Sequence, residues 1–264
     1  MLYRLLALLL LAAPFQASAE PAPQGCTDHF LGGDMPEVSK NRSAKTKQLC
    51  FSEFALLHSG LTKTPMWSAE HLTSERIDAA AGMKRKDSFH VEQKLSPDDR
   101  AELSDYKDSG FDRGHMSPNG DMPNAKAQRE SFSLANMIPQ HPCNNEGIWA
   151  GIEGAVRQLT LDEDEVYVVT GPVYLRGNQQ QIGNGVMVPA QVFKAIFVPS
   201  RDEAGVYVTP NADGTEMKKI SVVDLAALIE VDVFPKLTQK VKAKITDLPL
   251  PQASKFGCRL HQGQ

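Results

Sequence analysis

Two runs of β-branched and aromatic residues, "EVYVVTGPVY" (residues 165–174) and "GVMVPAQVFKAIFVP" (residues 185–199), constrain most strongly what this chain can fold into. Side chains branched at Cβ crowd a helix and pack well on a pleated surface, so both runs read as core strands. The segment "FALLHSGLTKTPMWSAEHLT" (residues 54–73) adds two strands around the turn formers Gly60 and Pro65. Elsewhere the period changes to that of a helix. "NEGIWAGIEGAVRQL" places Ile148, Ile152, Ala155 and Leu159 on one face, with Trp149 and Val156 beside it. Gly147, Gly151 and Gly154 each weaken that helix by up to ~1 kcal/mol and point to close packing. A short helix is expected within residues 94–107, where Ser96 can cap and Pro97 takes the first position, and another over residues 221–229. With no internal repeat and no linker, the pattern predicts one α+β domain.

The first nineteen residues carry an early charge at Arg4, an apolar run and the small-residue ending Ala17, Ser18, Ala19. This is the pattern of a secretory signal peptide, too short to span a bilayer, and it predicts a secreted or periplasmic protein. The expected organisation is therefore a signal over residues 1–19, a loosely ordered lead-in over 20–48 and one large domain over 49–264. Export would let the four cysteines pair, and none has the CxxC spacing of a zinc site. Three connectivities are open. The favoured one joins Cys26 to Cys50 across a short loop and leaves Cys143 for Cys258.

A formal net charge of −4 argues mildly against a general nucleic-acid binder. The charge is unevenly spread, however. "MKRKDSF" (Lys84, Arg85, Lys86) and "KLTQKVKAK" (Lys236, Lys240, Lys242, Lys244) are basic, and "LDEDEV" (Asp162 to Glu165) is acidic. Each run is ordinarily a solvated face, and a polarised surface stays open.

The chemistry concentrates in "FDRGHMSPNGDM", where Asp112, Arg113 and His115 fall within four positions, and in two later clusters with Asn136, Gln140, Asn144, Asn145 and Glu146. An asparagine opening a helix is usually an N-cap. A neutral amide oxygen can also hold Mg²⁺ without cancelling its charge, which leaves the ion's Lewis acidity for a phosphate and requires histidine to be a base rather than a ligand. The other histidines, His29, His58, His71, His90, His141 and His261, lack ligand spacing and read as structural, as does Trp149 in the core.

"DRGH" followed by "SFSLANMIPQ", "NNEGIW" and "IEGAV" resembles the DNA/RNA non-specific endonuclease family of the ββα-metal (His-Me finger) superfamily. The likeness runs from about residue 65 to residue 198 and includes both β-branched runs. It implies a ββα-metal core in a single mixed domain whose central, mainly antiparallel sheet is flanked by helices. It implies a sequence-non-specific, Mg²⁺-dependent endonuclease, with Mn²⁺ as a substitute, that hydrolyses DNA and RNA to 5′-phosphate products. Carried onto this chain, it makes His115 the general base, Asn145 the metal ligand, Arg113 an electrostatic neighbour and Asn136 a residue that shapes the site. Glu153, eight residues and ~12 Å along the helix from Asn145, would act through water. Arg85 or Lys86 would clamp the phosphate; Arg85 is chosen because a guanidinium grips two oxygens. Substrate contacts fall to Arg85, Arg113 and Gln140. The partners implied are the DNA and RNA backbone, with no membrane once the leader is cut, and a homodimer stays open. A zinc hydrolase would need three clustered His or acidic ligands, which the sequence lacks. A catalytically weak binding module of the same fold would be expected to have lost His115 or Asn145, and both are present.

Overall fold

A computed structural model of the chain describes residues 26–252 apart from 176, 178 and 179. The leader, Cys258 and His261 lie outside them. In chain order the elements are β1 (Glu37–Val38), β2 (Thr46–Cys50), β3 (Ala55–Ser59), β4 (Thr64–Thr73), α1 (Ser74–Ala81), β5 (Asp112–His115), α2 (Ala125–Ser131), β6 (Met137–Gln140), α3 (Ala150–Glu163), β7 (Glu165–Val173), β8 (Gln181–Ile182), β9 (Val186–Met187), β10 (Gln191–Val198), β11 (Glu203–Pro210), β12 (Lys218–Ile220), α4 (Val222–Ile229), β13 (Val231–Asp232) and α5 (Gln239–Lys242), joined by 3₁₀ turns. Seven strands form one antiparallel sheet in the order β12-β11-β10-β7-β4-β3-β2. The expected α+β architecture, a large antiparallel sheet flanked by helices, is the one observed.

Both faces of the sheet are covered, which explains why the central strands are apolar nearly throughout. Strand alternation sends Trp67, Ala69, Val169, Phe193 and Ala195 to one face, where Leu225 and Ile229 of α4 and Phe30 meet them. It sends Leu72, Val166, Val168 and Ile196 to the other, against Trp149, Ile152, Val156 and Leu159. This second face carries a small antiparallel hairpin, β5 with β6, followed by α3. Pro65 lies inside β4 rather than in the turn; it sits opposite His58 where the pairing register shifts, a place where a missing N–H costs least.

Two local expectations change. Residues 94–107 form not a helix but two 3₁₀ turns, Pro97–Asp99 and Leu103–Tyr106, with extended Arg100 between them. The short polar side chains compete with helical bonding: Asp99 takes the Ser96 hydroxyl at 2.8 Å, and Asp105 accepts from the Glu102 N–H at 2.8 Å. The described part of the lead-in is built into the fold. Phe30 meets Trp67 edge-on with ring centroids 5.8 Å apart, β1 pairs with β13, and β2 closes one edge of the large sheet.

The expected Cys26–Cys50 disulfide is present, with a Cα–Cα separation of 5.7 Å. Cys143 is disulfide-bonded too, while the pairing expected for it, with Cys258, lies outside the described residues. Because the first bridge closes a loop of 24 residues, replacing Cys26 and Cys50 with Ala is expected to lower stability by about 3 kcal/mol. Denaturant unfolding checks this, and a loss under about 0.5 kcal/mol would mean that the Phe30 contact alone holds the N-terminal segment.

Candidate active site

In β5 the period of two puts Arg113 and His115 on one side and Asp112 and Gly114 on the other. Pairing with β6 sets His115 opposite Met137 and Asp112 opposite Gln140. Gly114 permits this approach: a Cβ there would stand 2.0 Å from Gln140 Oε1. Asn136 clamps the strand exit, accepting from Ser117 N–H at 3.0 Å and donating to the Ser117 carbonyl at 2.8 Å.

The chain enters α3 through a wide π-helical stretch, Asn144–Trp149, in which Gly147 leaves helical geometry (φ −96°, ψ −109°). Such insertions recur where a helix must re-aim a side chain. Neither asparagine caps the helix; the N-cap position is Cys143. Asn144 is buried, accepts from Gln140 at 2.6 Å and donates to Thr209 Oγ1 and the Pro210 carbonyl at 3.0 and 2.9 Å. Asn145 faces an open cleft, and its amide nitrogen donates to Asp112 at 2.9 Å. That bond commits the nitrogen and leaves the amide oxygen as the donor atom for a metal. Among the described residues no group of three His, Cys, Asp or Glu could hold an ion, so the donor set suits one protein ligand on a largely hydrated hard cation.

The cleft is lined by Arg85, Arg113, His115, Asn119, Asn145, Glu146, Glu153 and Arg157, together with Pro118, Gly120 and Ala150. Five sequence-identified residues thus meet there: His115, Arg113, Arg85, Asn145 and Glu153. Two do not line it. Gln140, expected to touch substrate, is fully buried and spends its amide on Asn144; it positions the loop from behind. Asn136 is likewise fully buried and shapes the site through Ser117. Lys86 is absent from the wall, so the cleft position belongs to Arg85.

His115 is 8% exposed, 4.9 Å from Phe132 in an edge contact and 5.7 Å from Phe89. The same two rings carry the cations: Arg113 lies 4.1 Å from the Phe89 centroid and Arg85 5.3 Å from that of Phe132. Burial, then the Arg85 and Arg113 charges, push the imidazole down to about 3. Its Nε2 is buried with no partner among the described residues, and aromatic packing orients the ring. Burial pushes the Glu153 carboxyl up, against the pull of Arg157 and Lys194.

Arg157 and Asn119 were not singled out from the sequence, and Glu146 was placed in a polar cluster without a role. Arg157 was legible, one helical turn beyond Glu153 and on the same face. Asp121 accepts its Nη1 at 2.8 Å, and Gly120 leaves it room, since a Cβ there would come within 3.0 Å. The histidines read as structural bear that out where described: His29, His58 and His90 bond backbone carbonyls, His71 meets Glu165 at 2.7 Å, and His141 accepts from the Cys143 N–H at 3.3 Å. Trp149 is in the core.

A sequence profile of the DNA/RNA non-specific endonuclease family matches residues 31–239. The chain is 32% identical over 214 residues to the human protein named nuclease EXOG, mitochondrial, covering 73% of this chain and 58% of that one. It is 36% identical over 182 residues to the mitochondrial nuclease of Saccharomyces cerevisiae, covering 60% and 55%. The chain thus spans well under two thirds of the length of either relative. A solved EndoG structure, from a complex with EndoGI, superimposes with a TM-score of 0.68 and 29% identity over 74% of this chain and 88% of that one. These relatives correct the expectation of a secreted or periplasmic protein, since the human and yeast proteins are both named mitochondrial. That expectation rested on the apolar pattern of residues 1–19 alone, which lie outside the described residues.

Base catalysis needs neutral imidazole, which is present above its pKa. With His115 as the base, a downward shift would keep it neutral below the usual 6.5, so the acid limb of kcat/KM is expected well under pH 6. Replacing Arg113 with Gln removes one cause of the shift and moves that limb upward; a wild-type limb at 6.5 or above would contradict the burial account. The profile and the fold together identify the chain as a member of the DNA/RNA non-specific endonuclease family.

Proposed function

We propose that this chain is a sequence-non-specific endonuclease that hydrolyses phosphodiester bonds in DNA and RNA to 5′-phosphate products, using Mg²⁺ with Mn²⁺ as a substitute. One observation carries the reading: a histidine kept neutral by burial and two arginines shares a cleft with an asparagine whose amide nitrogen is already committed.

Asn145 would hold the metal through its amide oxygen, with Glu153 reaching it only through water. When bound, Mg²⁺ supplies Lewis acidity against the charge that develops on the phosphate and the leaving 3′-oxygen. His115 takes a proton from the attacking water. Because Nε2 is sealed from solvent, the accepting atom is Nδ1. Arg85, Arg113 and Arg157 face the non-bridging oxygens, where charge-assisted hydrogen bonds are strongest. Contacts of this kind grip phosphate and carry no base information, which makes cleavage indifferent to sequence.

Replacing His115 with Ala removes the base and spares the metal ligand, so turnover is expected to fall ~10²–10⁴-fold, with partial rescue by imidazole and none by extra Mg²⁺. Replacing Asn145 with Ala reverses the rescue, with Mg²⁺ restoring activity and imidazole not. Both variants responding to the same additive would refute the division of roles.

A further inference from the structure

We propose that residues 84–86 form a fixed basic rail whose flanking Lys84 and Lys86 grip the backbone of a nucleic acid beyond the scissile phosphate, outside the cleft that Arg85 lines. The inference rests on the nuclease reading for the identity of the polyanion. Three observations support it.

The first is a fixture with no other evident purpose. Gln128 of α2 is 5% exposed, and its side-chain amide spans Arg85: Oε1 accepts from the Lys86 N–H at 3.0 Å, and Nε2 donates to the Lys84 carbonyl at 3.3 Å. A buried amide that satisfies both its polar ends on an exposed segment holds that segment's backbone in place.

The second concerns charge. Three of the four lysines of the other basic run are paired within the fold: Lys236 with Asp34 at 2.9 Å, Lys242 with Asp232 at 2.5 Å, and Lys244 with Glu203. Lys84 and Lys86, in contrast, are exposed and make no ion pair with any described residue. Arg85 meets Asp87 at 2.7 Å, but both side chains are more than half exposed, so the pair is weak. On a chain with a net charge of −4, this is an unneutralised positive segment held rigidly.

The third is continuity. Arg85, the middle residue, lines the cleft beside His115 and Arg113. Its neighbours lie outside that wall, so a strand whose scissile phosphate reaches Arg85 carries its next phosphates past Lys84 and Lys86.

The test compares wild type with the double variant Lys84→Ala/Lys86→Ala, both of whose changes are exposed. Binding of a 30-base-pair duplex is measured in EDTA across salt concentrations, and cleavage with Mg²⁺ is measured on that duplex and on a dinucleotide. Each lost phosphate contact flattens the log Kd against log salt slope by about 0.9, so the variant is expected to lose about 1.8 and to bind tenfold or more weakly at 0.15 M salt. Its kcat/KM on the dinucleotide should equal that of wild type, and Lys84→Arg/Lys86→Arg should keep the wild-type slope. An unchanged slope, or an equal loss on the dinucleotide, overturns the rail. Wild type that binds duplex with the predicted slope difference yet cleaves nothing with Mg²⁺ refutes the nuclease reading and leaves the rail standing.

Discussion

Gly114 has no room for a side chain, and the site depends on that absence. Its backbone lies against Gln140, whose amide reaches Asn144, which in turn is bonded to Thr209 and Pro210 at the end of β11. A small hairpin is thereby keyed to the large sheet through two buried amides. Asn145 follows Asn144 directly, so fixing one aims the other, and Asp112 on the same hairpin takes the Asn145 amide nitrogen. The proposed base and the proposed metal ligand thus come from elements locked to each other. A Cβ at residue 114 would separate them by displacing Gln140, which is fully buried and has nowhere to go.

Beneath the cleft lies a set of buried charges. Glu70 on β4 meets Arg76 of α1 at 2.9 Å, Arg76 Nε donates to the Asp121 carbonyl at 2.8 Å, and Asp121 holds Arg157. Burial, reinforced by the Asp121 charge, pushes the Glu70 carboxyl up, against the pull of Arg76 and Lys194. Buried ion pairs are weak sources of stability once desolvation is counted, and their value is in geometry. Here they tie α1, the 3₁₀ turn after "DRGH" and α3 into one rigid floor for the Arg157 guanidinium. Lys194, buried on β10 and bonded to Thr170 at 2.7 Å, lies 5.4 Å from the Trp149 ring and adds positive charge beneath the first turn of α3.

Much of this could be read from the sequence because the signal was periodic. The β-branched runs around residues 165–174 and 185–199 became β7 and β10, the heart of the sheet, and the apolar stripe from Ile148 to Leu159 became the buried face of α3. Ser221 capped the last expected helix with a reciprocal Asp224 bond. Expectations failed where bonding was not periodic. Residues 94–107 offered helix-start residues, but the Ser96–Asp99 and Glu102–Asp105 bonds close two short 3₁₀ turns that extended Arg100 keeps apart. Gln140 was expected to touch substrate but is buried; a sequence does not show which amide is buried. The orientation of His115 comes from Phe89 and Phe132, whose packing depends on contacts distant in sequence. The secretory destination read from residues 1–19 is the expectation that the relatives overturn, since the human and yeast proteins are named mitochondrial.

The central claim is that water, activated by His115, attacks phosphorus and expels the 3′-oxygen. The most direct measurement is end analysis of products from circular DNA, from RNA and from 2′-O-methyl RNA of the same sequence, each incubated with the protein and Mg²⁺. The account predicts 5′-phosphate and 3′-hydroxyl ends on all three, and no cleavage in EDTA. Cleavage confined to unmodified RNA, with 2′,3′-cyclic phosphate ends, would show that the sugar hydroxyl is the nucleophile and would contradict it.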